Sequence, residues 1–467
     1  MNIRISTLWD ARREKRVVRS AVILALLTAG LSTAQTTDQG EQDEYQGPQI
    51  LSRTASEAGE RGGAPISFRP YGNVAYVYDS GLLADTVNSQ GQLINPGAQQ
   101  GIDAGFGVIG SRRWRFDQIS LDYHGNYTHY SPDAFFNGTT QYLGLNYTHV
   151  FSPRWNITLR ENGGVSPYSY GQLAYVPMIT PGLNGVPTNE LFDNRTIFSQ
   201  SGVDFTYQRT RRLSFQFGGD GFLVRRRSTA LAGLNGGDGH FDVAYRFSKK
   251  QTLTANFSYA YYGYQRAFGN ANTETLNLGY AVTLGRYWNL SLQAGVARTN
   301  NLGLTQIPYD PAIAAIVGPG YTTVVINPTR YVPLGAVSLG RRFERASLTF
   351  LYSRAVSPGN GVYLLSLGQT ANINYSYVAL KALTFSFFGG YSDLDSLGQQ
   401  ISAYRSLNTG AGATYKLGRS VFATFRYDYR HYNAGGLQGV GGQFQKNENR
   451  LSLGLAFSPG EKPLPIW

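Results

Sequence analysis

The feature that most constrains this chain is an alternation that breaks and restarts. Between Leu276 and Val296 the sequence reads LNLGYAVTLGRYWNLSLQAGV. Apolar residues stand at Leu276, Leu278, Tyr280, Val282 and Leu284, and after Gly285-Arg286-Tyr287 at Trp288, Leu290, Leu292, Ala294 and Val296. Period-2 alternation on both sides of a short break is a β-hairpin with one apolar face. The second face, Asn277, Gly279, Ala281 and Thr283 against Asn289, Ser291, Gln293 and Gly295, is polar or small. Either face could look toward the interior.

The same shape occurs eight times, each with a basic residue at the break: Arg113, Arg154, Arg211, Lys250, Arg286, Arg342, Lys381 and Arg419. Successive differences are 41, 57, 39, 36, 56, 39 and 38 residues, so the unit recurs about every 38 residues with two enlarged copies. That length holds two strands, one tight turn and one longer loop. Tyr147, Tyr207, Tyr245, Tyr280 and Tyr415 stand shortly before the turns, as does Tyr377. Trp114, Trp155 and Trp288 follow turn residues directly or nearly so. Aromatics gathered at one end of many strands predict a ring at one height, as a membrane interface selects and a soluble sandwich does not.

The N-terminus reads as an export address. Basic residues from Arg12 to Arg19 precede the apolar run AVILALL, and Ser32-Thr33-Ala34 supplies the small residues of a cleavage site. Residues 1–34 are read as a cleaved signal peptide, since the apolar stretch is about half of the ~20 residues a membrane helix needs. Its removal takes six basic and two acidic residues, lowering the formal charge from +12 to +8 (12 − 4). A nucleic-acid partner is therefore not expected. Residues 35–64 are polar and aperiodic and read as a disordered periplasmic tail. The absence of cysteine removes disulfides and thiolate metal sites, and no cofactor or metal is expected.

Composition then decides between the two faces. The polar faces lack the Lys and Glu that keep a soluble sheet in water, as in Ser214, Gln216 and Gly218 or Thr254, Asn256 and Ser258. The apolar faces exclude charge, as in Leu451, Leu453, Leu455 and Phe457. A Lys or Arg on the lipid side at mid-membrane costs roughly 2–4 kcal/mol. The apolar face is thus placed in lipid and the polar face around a lumen. Unpaired edges cannot persist in hydrocarbon, so the sheet must close. The expected fold is all-β, a transmembrane antiparallel up-and-down β-barrel over 65–458. It has about 18 strands (16–20 allowed), with both termini on the short-turn side, and 459–467 form a C-terminal periplasmic extension. One residue resists the pattern: Glu161 shares the apolar parity of Ile157 and Leu159, and a bulge at Gly163-Gly164 is expected to correct it.

On the hairpin grammar, the aromatic ends and the signal peptide, the chain resembles a bacterial outer-membrane β-barrel protein of the porin type. The last strand, Ser452 to Phe457, is similar to the terminal signal of such barrels, except that SPGEKPLPIW follows it. The resemblance implies outer-membrane lipid and the barrel-assembly machinery as partners, with no catalytic residues. It implies an aqueous channel for passive diffusion of small polar solutes. The alternatives are a non-conducting structural or surface-interaction barrel, or the membrane part of an export system, and more remotely a rim enzyme, for which His129 with Asp133 is the nearest approach.

Candidate lumen charges follow from parity. Arg426, Asp428 and Arg430 form a basic–acidic–basic ladder between Phe425, Tyr427 and Tyr429, and Asp122, Arg160, Asp204, Asp220 and Arg246 share the lumen parity of their strands. They are read either as salt bridges along the wall or as a transverse field for solutes. Arg225-Arg226-Arg227 is read as solvated loop charge or as a contact for lipopolysaccharide. The enlarged third and sixth long loops, starting at Ser166 and Asn301, carry apolar residues, among them Tyr175, Met178, Ile179, Ile313 and Ile316. Apolar loops need cover, so these are expected to fold inward and narrow the pore or to meet another protein.

Overall fold

The computed structural model describes residues 67–463, except 81–85, 88–92, 95–96, 132–136, 167–195, 311–315, 362–363, 399–402, 435–443, 459–461 and the single positions 228, 230, 317, 319, 360 and 381. The expected signal peptide and tail lie outside these residues.

Eighteen long strands close into one antiparallel barrel. In chain order they are β1 Ser67–Ser80, β2 Gln99–Arg113, β3 Asp117–Ser131, β4 Gly138–Ser152, β5 Trp155–Ser166, β6 Thr196–Gln208, β7 Leu213–Arg226, β8 Gly233–Ser248 and β9 Gln251–Gln265. Then follow β10 Asn270–Leu284, β11 Trp288–Pro308, β12 Thr329–Arg342, β13 Ala346–Ser357, β14 Ser366–Leu380, β15 Leu383–Ser396, β16 Tyr404–Lys416, β17 Val421–Ala434 and β18 Phe444–Phe457. Each pairs with its sequence neighbours, and β1 pairs with both β2 and β18, so no edge is left. The expected strand number and closure are those observed.

All eight expected breaks are connectors of two to four residues. Gly285, at φ +70°, opens the turn between β10 and β11, a conformation that side chains other than glycine resist. Where the connector has only two residues, after β4, β8 and β14, the ladder slips beside it, between Val150 and Ser152, Arg246 and Ser248, and Val378 and Leu380. A single bulge reconciles a very short turn with the twist of its strands. Ser67 of β1 pairs with Ser111, and Phe457 of β18 with Val421, which puts both barrel ends at the short-turn rim. Beyond β18, Lys462–Pro463 adds a short rung to the start of β1.

The convex surface is apolar and open: Val74, Phe106, Leu278 and Leu453 are 57 %, 53 %, 56 % and 60 % exposed. The opposite parity holds the buried polar side chains, which reach one another across intervening strands, as on a concave wall. The bulge expected at Gly163-Gly164 does not occur. β4–β5 and β5–β6 run in continuous register there, so Glu161 stays exposed on the outer face beside Leu145 and Ser201.

Candidate functional site: the lumen wall

Two patches of charge line the lumen. The first spans β5 to β8 and is built on two rungs of the ladder. One rung runs Arg160, Gly202, Asp220, Asp238, and the next runs Thr158, Asp204, Gly218, His240. The glycines make the contacts possible. A Cβ at 202 would strike Asp220 Oδ1, and one at 218 would strike Asp204 Oδ1. With those positions bare, side chains two strands apart meet. Arg160 reaches Asp204 at 2.6 Å and Asp220 at 3.2 Å, while His240 Nε2 lies 2.8 Å from Asp204 Oδ1. Gln200 Nε2 donates to Asp220 at 3.2 Å, and Asn256 Nδ2 to Asp242 at 2.6 Å.

The second patch spans β16 to β18 and β1 to β3. Arg450 donates to Asp103 Oδ2 at 2.7 Å and stands 3.9 Å from Asp79 Oδ1, and the Tyr130 hydroxyl donates to Asp79 Oδ2. Arg426 bridges Asp428 at 2.8 Å on its own strand. Arg430 donates to Asn408 at 2.9 Å, cross-strand from Glu448. Here too a glycine gives the room: Gly101 stands between Val77 and Tyr130 on the rung beside Asp79.

Of the residues singled out from sequence, Arg160, Asp204 and Asp220 come together. Arg426 and Asp428 pair with each other, and Arg430 is buried on the same strand. Asp122 faces the lumen beside His124, 3.3 Å away, apart from both patches. Arg246 also has lumen parity, toward the turn end of β8. Asp238, His240, Asp79, Asp103, Glu448 and Arg450 were not singled out. Lumen parity was the available signal for each, whereas their partners sit on other strands and are invisible in a linear reading.

The aromatic candidates occupy the outer face at the turn-side ends of their strands. Trp155 stacks on Tyr207 at 4.4 Å between centroids, and Tyr245 meets Phe247 edge-on at 5.0 Å. Arg112 covers Trp114, and Arg341 covers Trp288, each 4.5 Å from the ring centroid. Tyr147 donates to Asp117 at 2.6 Å, while Tyr280 and Tyr415 stand on the same outer parity. His129 is also on the outer face, stacked 6.4 Å from Tyr127, and Asp133 lies outside the described residues.

The long-loop rim holds a layer that alternation alone does not reveal. Phe222, Val224, Leu234, Tyr262, Tyr264, Ala271 and Ala297 face inward there and are buried. Leu364 and Leu365 of the seventh long loop join the same cluster, beside Ala232 of the fourth. The two loops are tied by Ala232 N donating to Gly361 O at 3.0 Å, and Arg226 Nε donates to Ala232 O at 3.0 Å. Arg226, read as a loop charge, is therefore buried at the rim, whereas Arg225 and Arg227 are exposed. The sixth long loop extends β11 as a hairpin, with Gly303–Pro308 paired to Tyr321–Ile326. Ile316 is 87 % exposed there rather than packed in the mouth. Tyr175, Met178, Ile179 and Ile313 lie outside the described residues.

No protein-family model and no curated protein matches this chain. Among solved structures it is similar to Pseudomonas aeruginosa OccK5 (OpdH), at 13 % identity over 86 % of this chain and 98 % of that one, TM-score 0.42. It is similar to P. aeruginosa OccK2 (OpdF) at 14 % identity over 85 % and 98 %, TM-score 0.43. A BenF-like porin from Pseudomonas fluorescens Pf-5 aligns at 11 % identity over 84 % and 98 %, TM-score 0.43.

Proposed function

We propose that this protein is an outer-membrane barrel with a porin-like channel for passive diffusion of small hydrophilic solutes. The observation that carries the reading is the division of its two surfaces. A closed wall of 18 strands exposes Val, Leu, Ile and Phe outward and gathers Arg, Asp, Asn and Thr inward. A soluble protein does not expose contiguous apolar area on that scale, and hydrocarbon is the solvent that fits it. Barrels of 16–18 strands leave room for an aqueous path. Outer-membrane lipid, and lipopolysaccharide at the long-loop rim, are the surroundings this reading supplies, with small polar solutes as the permeants.

The buried rim layer favours a second reading in which loops close the lumen and the barrel serves as a structural or surface-interaction element. Single-channel recording of the refolded protein in planar bilayers separates the two. Stepwise conductance supports the channel, and a folded barrel without steps supports the closed form. If the seventh loop narrows an open path, Leu365→Ala, which removes a fully buried anchor, raises the conductance per step while the barrel stays folded.

A further inference from the structure

The patch on β5 to β8 carries more negative charge than its cation answers. Asp204, Asp220, Asp238 and Asp242 all face the lumen, and the guanidinium seen bonded among them is that of Arg160, on Asp204 and Asp220. These five ionised groups sum formally to −3 (1 − 4) beside a neutral His240 and to −2 beside a protonated one, negative in either state. Burial sharpens the imbalance, because the side chains of Asp220, Asp238 and His240 are only 1 %, 5 % and 10 % exposed.

Four buried side-chain atoms in this patch, Arg160 Nε, Gln200 Oε1, Asp238 Oδ1 and His240 Nδ1, lack a hydrogen-bond partner among the described residues. The last two belong to neighbouring side chains, and His240 Nδ1 lies 3.6 Å from Asp238 Oδ2, longer than a hydrogen bond. Leaving such groups unpaired is costly, and native proteins satisfy them with water, an ion or another ligand. One ligand atom from each of Asp220, Asp238 and His240 can be taken so that all three lie within 4.8 Å of one another, a set that small side-chain rotations bring around one ion. The imidazole is already oriented: Nε2 faces the Asp204 carboxylate at 2.8 Å, leaving Nδ1 on the side of Asp238, 3.6 Å from its Oδ2. A carboxylate on the far nitrogen is how metal-binding histidines are ordinarily held.

We propose that Asp220, Asp238 and His240 Nδ1 bind a divalent transition ion, Zn²⁺ first, with Asp204 as the positioning residue for the imidazole. One nitrogen and two oxygens favour zinc or a neighbouring first-row ion over calcium, which takes oxygen ligands. The ion takes the patch, with His240 neutral as a ligand, from −3 to −1 and pairs Asp238 Oδ1 and His240 Nδ1. Phe222 and Leu234, each one inward position nearer the rim than Asp220 and the Gly236 that precedes Asp238, cover the site from the long-loop side.

The test is Zn²⁺ titration of the full-length barrel, refolded in detergent and stripped with chelator, followed by calorimetry and by metal analysis after dialysis. About one ion per chain is expected. His240→Gln retains an amide to bond Asp204 but removes the Nδ1 ligand, and Asp238→Asn removes an anionic ligand; each is expected to weaken binding at least ~100-fold, and Asp204→Asn ~10–100-fold. X-ray absorption of the loaded protein should show one imidazole among oxygen ligands. Circular dichroism and heat-dependent electrophoretic mobility report folding separately, so binding is read only from folded barrels. Absence of Zn²⁺ uptake by the folded wild type overturns the site and leaves a histidine–carboxylate network. Unchanged affinity in folded His240→Gln also overturns it, since the ion then sits elsewhere.

Discussion

The two lumen patches use one construction and reach different balances. Each lays charged side chains on adjacent rungs and leaves a glycine where a side chain would separate them. Around Arg450 the second patch sets Asp79, Asp103, Asp428 and Glu448 against Arg426, Arg430 and Arg450, a formal −1 (3 − 4). The first patch, counted the same way, stands at −3 with His240 neutral and at −2 with it protonated. One wall answers its own charges and the other invites a cation. The difference lies in which residue types occupy the rungs, since the backbone geometry is the same.

The largest expected effect breaks the balanced wall. Arg450 is almost fully buried between Asp79 and Asp103, so Arg450→Ala strands the buried Asp79 and the partly buried Asp103 carboxylates and is expected to cost about 3–5 kcal/mol, read by denaturant unfolding from lipid vesicles. The matching change on the other wall removes an acid from a surplus. Asp238→Asn in chelator is expected to shift stability by less than about 1 kcal/mol, or to raise it, because repulsion falls as a weakly paired anion is lost. Equal large losses in both variants would erase the distinction between the walls.

Next in size are the glycines. Gly202→Ala pushes a methyl into the Asp220 carboxylate, and Gly218→Ala pushes one into the Asp204 carboxylate and the Val203 carbonyl; each is expected to cost about 1–3 kcal/mol. Gly221→Ala, one residue along β7 from Asp220, meets no atom within 4 Å and serves as the control. It is expected to stay within about 0.5 kcal/mol of the parent. A Gly221→Ala penalty as large as the other two would show that glycine matters here through strand geometry rather than through side-chain clearance.

The barrel itself was legible because its signal is local. Alternation, tight turns and outward aromatics are properties of single hairpins, and the chain repeats them often enough to count strands. Closure then follows from the solvent rather than from any residue. The lumen was legible only as parity. Arg160, Asp204 and Asp220 could be placed on the inner face, but His240 joins them through Gly218, and register fixes that neighbour only after folding. The rim layer was missed for a different reason. At Phe222-Leu223-Val224 and Tyr261-Tyr262 both parities are apolar, which marks a strand covered on both faces, and Leu364-Leu365 of the seventh long loop supply the cover on the inner one. Glu161 failed the pattern because an outward acid was assumed to need a bulge; the ladder keeps its register instead.

The smallest expected effect sharpens the comparison within the balanced wall. Arg426 and Asp428 form a pair at 2.8 Å, yet Arg426 is 43 % exposed to the lumen whereas Asp428 is 5 % exposed. A half-exposed guanidinium keeps much of its hydration and gains little from its partner, so the coupling between Arg426→Ala and Asp428→Ala in a double-mutant cycle is expected to be under about 1 kcal/mol. Asp428 also borders Arg450 on the next strand, so Asp428→Ala alone should cost more than Arg426→Ala alone. The same cycle run on Arg450 and Asp103, both largely buried, should give a larger coupling that persists at high salt, while the Arg426 term fades as salt screens it. A coupling for Arg426 as large and as salt-resistant as that for Arg450 would mean that water does not reach this part of the lumen, and would count against an open path beside the ladder.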